Sequence, residues 1–507
     1  MELTAQLLEL SATILLVIVA AILSRVLYMH KFHCLSSFPG PWYATSFSIV
    51  SAIISIKEKE PEWLLYLVRM YGSDRPIRIS PNLLLFPRPS ALRDIYWDPK
   101  CNVKGGLYAT RALGPPHLFS TIDTEEHRIL RKALSNAPWT IGQLRKAWEP
   151  QFDDQVNLFI KKMCEHAAAK RALCLSDKVA EFAADIMSMI SFTKPFGAVE
   201  NQRDEKDILG NWRTGLFFFG FVARCRFFRE DILALPRVAA WFLPRTSDDS
   251  GMGWLMREAE RQVAAREKTY DETQDNATPD FLQHCLNARM PDGSPLTRTE
   301  KRAHVTLLIQ AGADTTGTAL GSILRFIITH PPALERAQAE IASADQAGYL
   351  SNPIQFEETR KHLPYFIACI KEGLRLNPPA PNLFSRVVPR GGKILDGHFV
   401  PAGTEVTSHA YTTQRDREFY GDDAMWFVPE RWMVNEKRTF ELEAAQFTFG
   451  VGPRTCLGKD IAMMEMYKLL PEIVRRFNFE LQDTGRFVVV GGVAYNKSFL
   501  GRLVARL

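Results

Sequence analysis

No two of the eight cysteines in this 507-residue chain form a C-x-x-C pair, which argues against a zinc site and a disulfide framework and suits a reducing compartment. No G-x-G-x-x-G follows a strand pattern, so no flavin or nicotinamide domain is built in. There is no basic stripe with interleaved aromatics, and the formal net charge is only +5, so nucleic acid is not an expected partner. After residue 45 the chain has no Gly/Ser-rich or Pro-rich linker, no block of like charge and no repeat. One large domain is therefore expected, and 46% hydrophobic and 23% charged residues are an ordinary globular balance for it.

What is present begins with an apolar run. Leu10 to Ser24 is uncharged, and if Arg25 snorkels the run continues through Met29 to about 20 residues, enough to cross a bilayer. Glu2 and Glu9 precede it while Arg25, His30 and Lys31 follow, the reverse of a cleaved signal peptide. The positive-inside rule then places everything after residue 30 in the cytosol. The expected division is a short lumenal stretch over 1–9, a transmembrane anchor over 10–29, a basic and Pro-rich hinge over 30–45, and a catalytic domain over 46–507.

Near the other end, Phe449-Gly450-Val451-Gly452-Pro453-Arg454-Thr455-Cys456-Leu457-Gly458 sets one cysteine in a glycine-punctuated loop just before an apolar helical run. That is the layout of a thiolate ligand for haem iron, because unpaired N–H groups at a helix N-terminus steady the charge on sulfur. Gly452 and Gly458 are read as leaving room for backbone beside the porphyrin, and Arg454 as reaching a haem propionate.

Helical spacing dominates from about 60 to 380, with strand signals only at 76–87 and 393–407, so the fold class is mainly α with small β-sheets. The longest helix is expected to start at the capping box Thr297-x-x-Glu300 and stop at His330-Pro331-Pro332, a rod of about 45–50 Å. Its middle, Ala311-Gly312-Ala313-Asp314-Thr315-Thr316-Gly317, puts glycines, a carboxylate and hydroxyls into an apolar run, each locally unfavourable. Such breaches concentrate at functional sites. Small Ala311 and Gly312 would let haem and oxygen lie against the helix, while Thr315 and Asp314 would hold water for proton delivery. A further helix is expected from His362 to Leu376, stopped by Asn377-Pro378-Pro379, with Glu372 and Arg375 on one face.

Taken together, these motifs resemble the cytochrome P450 superfamily. The hinge Phe38-Pro39-Gly40-Pro41-Trp42-Tyr43 and the segment Cys456 to Ala462 look most like fungal members that tailor secondary metabolites. The resemblance implies haem b with Cys456 as axial thiolate. It implies cofactor contacts from Phe449, Gly452, Arg454, Gly458, Ala311, Gly312, Arg386 and Arg131, and from His127, where the family commonly has Trp. Thr315 and Asp314 would serve oxygen activation, and Glu372, Arg375 and Arg431 would lock the haem-side core. An aromatic stretch, Leu216 to Phe221 with Phe227, Phe228, Trp241 and Phe242, corresponds to a lid that dips into the bilayer. Implied partners are O2, an apolar small-molecule substrate, the endoplasmic reticulum membrane and a separate NADPH–cytochrome P450 reductase, with Lys132 and Lys459 as docking candidates. Two alternatives compete: a haem-thiolate isomerase or peroxygenase, against which the Asp314–Thr315 pair argues, and a non-catalytic haem-binding protein. The sequons at Asn276 and Asn496 are expected to be silent.

Overall fold

The computed structural model describes residues 2–109, 116–134, 137–269 and 280–506. The helices that shape the site, numbered in chain order, are α1 (Glu2–Lys31), α2 (Trp42–Ser46), α3 (Thr124–Leu134), α4 (Leu175–Phe192), α5 (Ile208–Arg224), α6 (Pro236–Phe242), α7 (Gly251–Lys268), α8 (Arg298–Thr329), α9 (Phe356–His362), α10 (Pro364–Leu376) and α11 (Lys459–Arg476). The strands are β1 (Ile77–Ser80), β2 (Leu83–Leu85), β3 (Leu173–Cys174), β4 (Arg386–Val387), β5 (Lys393–Leu395), β6 (His398–Val400), β7 (Glu405–Thr407), β8 (Phe477–Val490) and β9 (Val493–Ala505).

Capping chemistry sets α8. Thr297 accepts from the Glu300 N–H and Glu300 returns a bond to the Thr297 N–H, the reciprocal box expected there, and His330 ends the helix ahead of two prolines. The rod crosses the whole core, and α4 lies along it at backbone contact. A Cβ on Gly317 would fall 2.6 Å from the Ala180 Cα, and one on Gly312 would fall 2.6 Å from Met187 Cε. These glycines let two helices approach closely.

The helix expected from His362 to Leu376 is α10, which starts two residues later. His362 closes α9, and Pro364, at the first position of α10, opens the next, because proline lacks the N–H an interior residue must donate. Within α10, Glu372 and Arg375 are fully buried and bidentate at 2.8 Å, Arg431 Nε adds a 2.9 Å contact, and Trp432 Nε1 and the Val428 N–H complete the carboxylate. Arg375 also donates to the Gln414, Ala424 and Trp426 carbonyls, stitching four segments together. Glu372→Ala should cost about 3–5 kcal/mol, since two arginines lose their shared anion in a dry site. Chemical denaturation of the holoprotein measures it, and a cost below about 1 kcal/mol would mark the triad as dispensable.

The strand signals at 76–87 and 393–407 give the β1–β2 and β5–β6 hairpins, while β7 leaves the second region to run parallel to β2 in the sheet β1-β2-β7-β4. A longer pair lies beyond both regions. β8 and β9 form a hairpin turned at Gly491 and Gly492, with β9 also pairing β3. Its tip reaches into the core of the site, where Gly491 lies against Gly220 of α5 and Gly492 against Asn382.

At the start of the chain, the most apolar 18-residue window of Gln6–Lys31 has a mean hydropathy of 2.5, and none of it is buried in protein. Its last turns do not snorkel. Arg25 Nε donates 2.8 Å to the Ser46 carbonyl at the end of α2, and Met29 is buried with its carbonyl accepting from Arg78 Nη1 at 2.9 Å.

Candidate active site

The loop that carries Cys456 is held from three sides. The Cys456 N–H donates 2.8 Å to the Phe449 carbonyl, Thr455 Oγ1 donates to the Gly452 carbonyl at 2.6 Å, and Arg131 Nη1 of α3 donates 2.6 Å to the Thr455 carbonyl. Packing also requires Gly452: its φ is +74°, and a Cβ there would fall 2.5 Å from the Tyr96 carbonyl oxygen. Gly458 leaves the sulfur side clear, with an added Cβ no nearer than 4.0 Å to Sγ. Burial raises the Cys456 thiol pKa, while the Gly458 and Lys459 N–H groups and the charges of Arg131 and Lys459 pull it down. Phe449 is half-buried, and Lys459 Nζ sits over its ring at 5.9 Å.

Cys456 lies deep in the protein mass, yet its surface is open. Ala311 is the corresponding feature on α8: it is exposed although Ile309, Gln310, Ala313 and Asp314 around it are buried. Thr315, one turn on along the same face, is partly open and donates its hydroxyl 2.7 Å back to the Ala311 carbonyl. Gly312, a residue round the helix, is partly open, and a Cβ added there would run into Met187 of α4. Asp314 points elsewhere. It is fully buried and paired with Arg213 Nε of α5 at 3.0 Å, and Arg213 Nη1 continues to the half-exposed Asp177 at 3.3 Å. Burial pushes the Asp314 carboxyl up against the pull of Arg213.

Four cations converge around the buried His127. Arg454, Lys104, Arg131 and Arg386 all act on it, and burial with their help pulls the imidazole down to about 3. Burial, then Arg454 and Arg386, pulls Lys104 down to about 6. Among the described residues none of the four is paired with a carboxylate. Arg386 is buried, donating to Tyr108 Oη at 3.0 Å and Asn102 Oδ1 at 3.3 Å; Arg454 donates to Asn102 also, and its Nη1 is buried without a partner. Like charges packed this way are stable only beside an anion.

An enclosed open sulfur, a helix with a small residue and a hydroxyl on one open face, and uncompensated cations at the margin together fit a flat macrocycle with two carboxylates. The family model described as "Cytochrome P450" matches residues 112–488.

The chain belongs to the cytochrome P450 family.

A cytochrome P450 monooxygenase of Aspergillus terreus is 30% identical over 88% of this chain and 90% of its own. Pisatin demethylase of Fusarium vanettenii is 29% identical over 92% and 89%, and quiannulatic acid synthase of Emericella variicolor 27% over 90% and 90%. A cytochrome P450 crystal structure superposes with a TM-score of 0.74 at 20% identity, covering 92% of this chain and 99% of that one, which shows the fold. As a P450, this chain is a haem-thiolate monooxygenase using haem b, O2, a small-molecule substrate and a redox partner, and the surroundings of Cys456 fit the family's axial cysteine.

Sequence reading missed three contributors. Lys104 donates to the Leu118 and Phe119 carbonyls at 3.0 and 2.7 Å, and its neighbours Gly105-Gly106, which make room for the side chains of Ser385, Glu405 and Arg229, were the available signal. Arg213 could have been flagged as a cation with no acidic residue three or four positions away on an apolar helix. Trp432, next to the expected Arg431, donates to the same carboxylate. Of the sequons, Asn496 is buried with Nδ2 on the Thr318 carbonyl and Oδ1 accepting from Ser322, which leaves no amide free for a sugar. Asn276 lies outside the described residues.

Proposed function

We propose that this P450 is a membrane-anchored monooxygenase that oxidises an apolar small molecule as a tailoring step of fungal secondary metabolism, drawing electrons from a separate NADPH–cytochrome P450 reductase. The observation that carries the reading is the enclosed, open sulfur of Cys456 together with the open Ala311–Thr315 face of α8. Bound haem supplies the activation of dioxygen, which consumes two electrons and two protons and yields one inserted oxygen atom and one water. The protein's own residues hold and aim it. Cys456 ligates the iron as thiolate; Arg454, Arg386, Arg131 and Lys104 take the propionates, with His127 beside them; Thr315 Oγ1, whose proton is committed to Ala311, accepts from a water on the open face; and Asp314 supplies protons behind it. The names pisatin demethylase and quiannulatic acid synthase support a fungal tailoring role. Lys132 and Lys459 are both exposed and suit an acidic reductase surface.

Adding purified reductase to the haem-loaded protein with candidate polyketide, terpene and alkaloid scaffolds tests this. A substrate-induced spin shift with NADPH-dependent oxygen uptake and an oxygenated product is expected. Product without NADPH would favour an isomerase or peroxygenase, and no turnover at all a haem-binding protein.

The anchor reading assigns the apolar part of α1 to the endoplasmic reticulum membrane, with residues 1–9 lumenal, 10–24 spanning, the last turns of the expected 10–29 span from Arg25 to Met29 packed on the domain, 30–45 as hinge and 46–507 cytosolic. A second, weaker contact comes from the lid, where Phe218, Phe221, Phe228 and Phe242 cluster and Phe218 stacks on Phe242 at 5.0 Å. Trp241 beside them is 85% exposed, and Leu235 and Phe227 are exposed too. Removing residues 1–23 should therefore release the protein from membranes only in part, as flotation with liposomes would register; complete solubility without detergent would remove the lid contact. Cutting at 31 instead deletes Met29 and strips Arg78 of its buried acceptor, a further loss of about 1–3 kcal/mol.

A further inference from the structure

Along one side of α8, Arg302, Thr306, Gln310 and Asp314 follow one another at four-residue intervals, about 6 Å apart along the axis. Each carries a buried side-chain atom with no hydrogen-bond partner among the described residues: Arg302 Nε, Thr306 Oγ1, both amide atoms of Gln310, and Asp314 Oδ2. Trp212 Nε1 of α5 also makes no well-aligned bond, although it lies close enough to the Asp314 carboxyl to favour its charged form. Ion pairs fix both ends of the row. Arg302 Nη1 meets Glu260 of α7 at 2.9 Å, and Asp314 Oδ1 meets Arg213 of α5 at 3.0 Å. Exposure falls steadily inward: the Glu260 and Arg302 side chains are 35% and 20% exposed, while Thr306, Gln310 and Asp314 are at 4%, 3% and 0%.

Four other hydroxyls on this helix have partners, Thr318 donating to the Ala494 carbonyl and Ser322 to Asn496 Oδ1, each at 3.0 Å. Thr315 and Thr329 each donate to the carbonyl four residues back at 2.7 Å, whereas Thr306 does not. A hydroxyl, an amide and a carboxyl oxygen left dry in series would be a heavy desolvation load, and water is what ordinarily relieves it. The spacing suits single waters, because two hydrogen bonds of about 2.8 Å span nearly the helical step of about 6 Å.

We propose that this row holds a file of ordered waters that carries protons from solvent at the Glu260–Arg302 edge to Asp314 Oδ2, with Thr306 and Gln310 as positioning residues. The proposal rests on the reading of Asp314 as proton supplier. Each water and the Thr306 hydroxyl accept one proton and release one, so the only net change is a proton taken from solvent and delivered to Asp314. Gln310 keeps its own protons, so the file runs past it: its carbonyl and NH2 each hold one of two waters that are hydrogen-bonded to one another beside the amide. Arg213 holds Oδ1 and so leaves Oδ2 as the receiving atom.

The test uses the full-length, haem-loaded protein and two apolar variants of similar shape, Thr306→Val and Gln310→Leu, with Thr306→Ser as the conservative control. Crystals of the unsubstituted protein should show ordered waters linking Asp314 Oδ2, Gln310 and Thr306. Product formation should fall about 10²-fold in both apolar variants, the low end of the cost of losing positioned proton transfer. The solvent deuterium isotope effect should rise, substrate affinity by spin shift should hold, and Thr306→Ser should retain turnover. A dry row, with thermal midpoints raised and turnover unchanged in the apolar variants, would overturn the proposal, as would a Thr306→Ser variant no better than Thr306→Val. Asp314→Asn separates the two readings: if it is slow while the apolar variants are not, only the route is wrong, and if it too is unaffected, the role of Asp314 falls with it.

Discussion

Cys456→Ala eliminates the long-wavelength carbon monoxide difference band that reports thiolate-ligated haem, and with it all monooxygenation. No other residue of the loop from Phe449 to Gly458 can give a soft anionic ligand. Other cysteines cannot substitute: Cys101, Cys225, Cys285 and Cys369 are buried, and burial drives the thiols of Cys101, Cys285 and Cys369 upward. Only Cys456 combines an open sulfur with two N–H groups and two cations turned toward it. The loop itself should survive, because its bonds run through backbone and through Arg131 rather than through the thiol. Circular dichroism of the variant should stay helical while the thiolate band vanishes. A persistent band would sink the assignment.

Thr315→Ala should uncouple reducing equivalents from product. On our reading the hydroxyl fixes the water that delivers a proton on the open face of α8, and alanine cannot. Product should fall by about 10²- to 10⁴-fold, far more than NADPH consumption, with the difference recovered as hydrogen peroxide. Asp314→Asn should slow product and NADPH use together, because it interrupts supply upstream of that water. An unchanged ratio of product to NADPH in Thr315→Ala would deprive the mechanism of its distal residue.

What could be read from the residues alone was local. The capping box of Thr297 and Glu300 needs only four positions, and Glu372 with Arg375 only one helical turn, so both were visible before any fold was known. How Gly312 packs follows from helix geometry. Ala311 and Thr315 share a face at i and i+4, and Gly312 lies about 100° round the helix, which turns it to α4. Other features have no local signature. Lys104 is buried because separate segments close over it, and the alternation along β8 is blurred where both of its faces meet solvent between Glu480 and Arg486.

The β3–β9 pairing also has a bearing on biosynthesis. Leu173 bonds across to Gly501, some 330 residues further on. At about 5–20 residues per second a ribosome takes roughly 17 to 66 s to cover that distance. Throughout that interval β3 is without its partner, and the tip that closes on α5 does not yet exist. The sulfur of Cys456, too, emerges late in the same interval. Haem capture by this chain is thus an event that follows synthesis of nearly the whole domain.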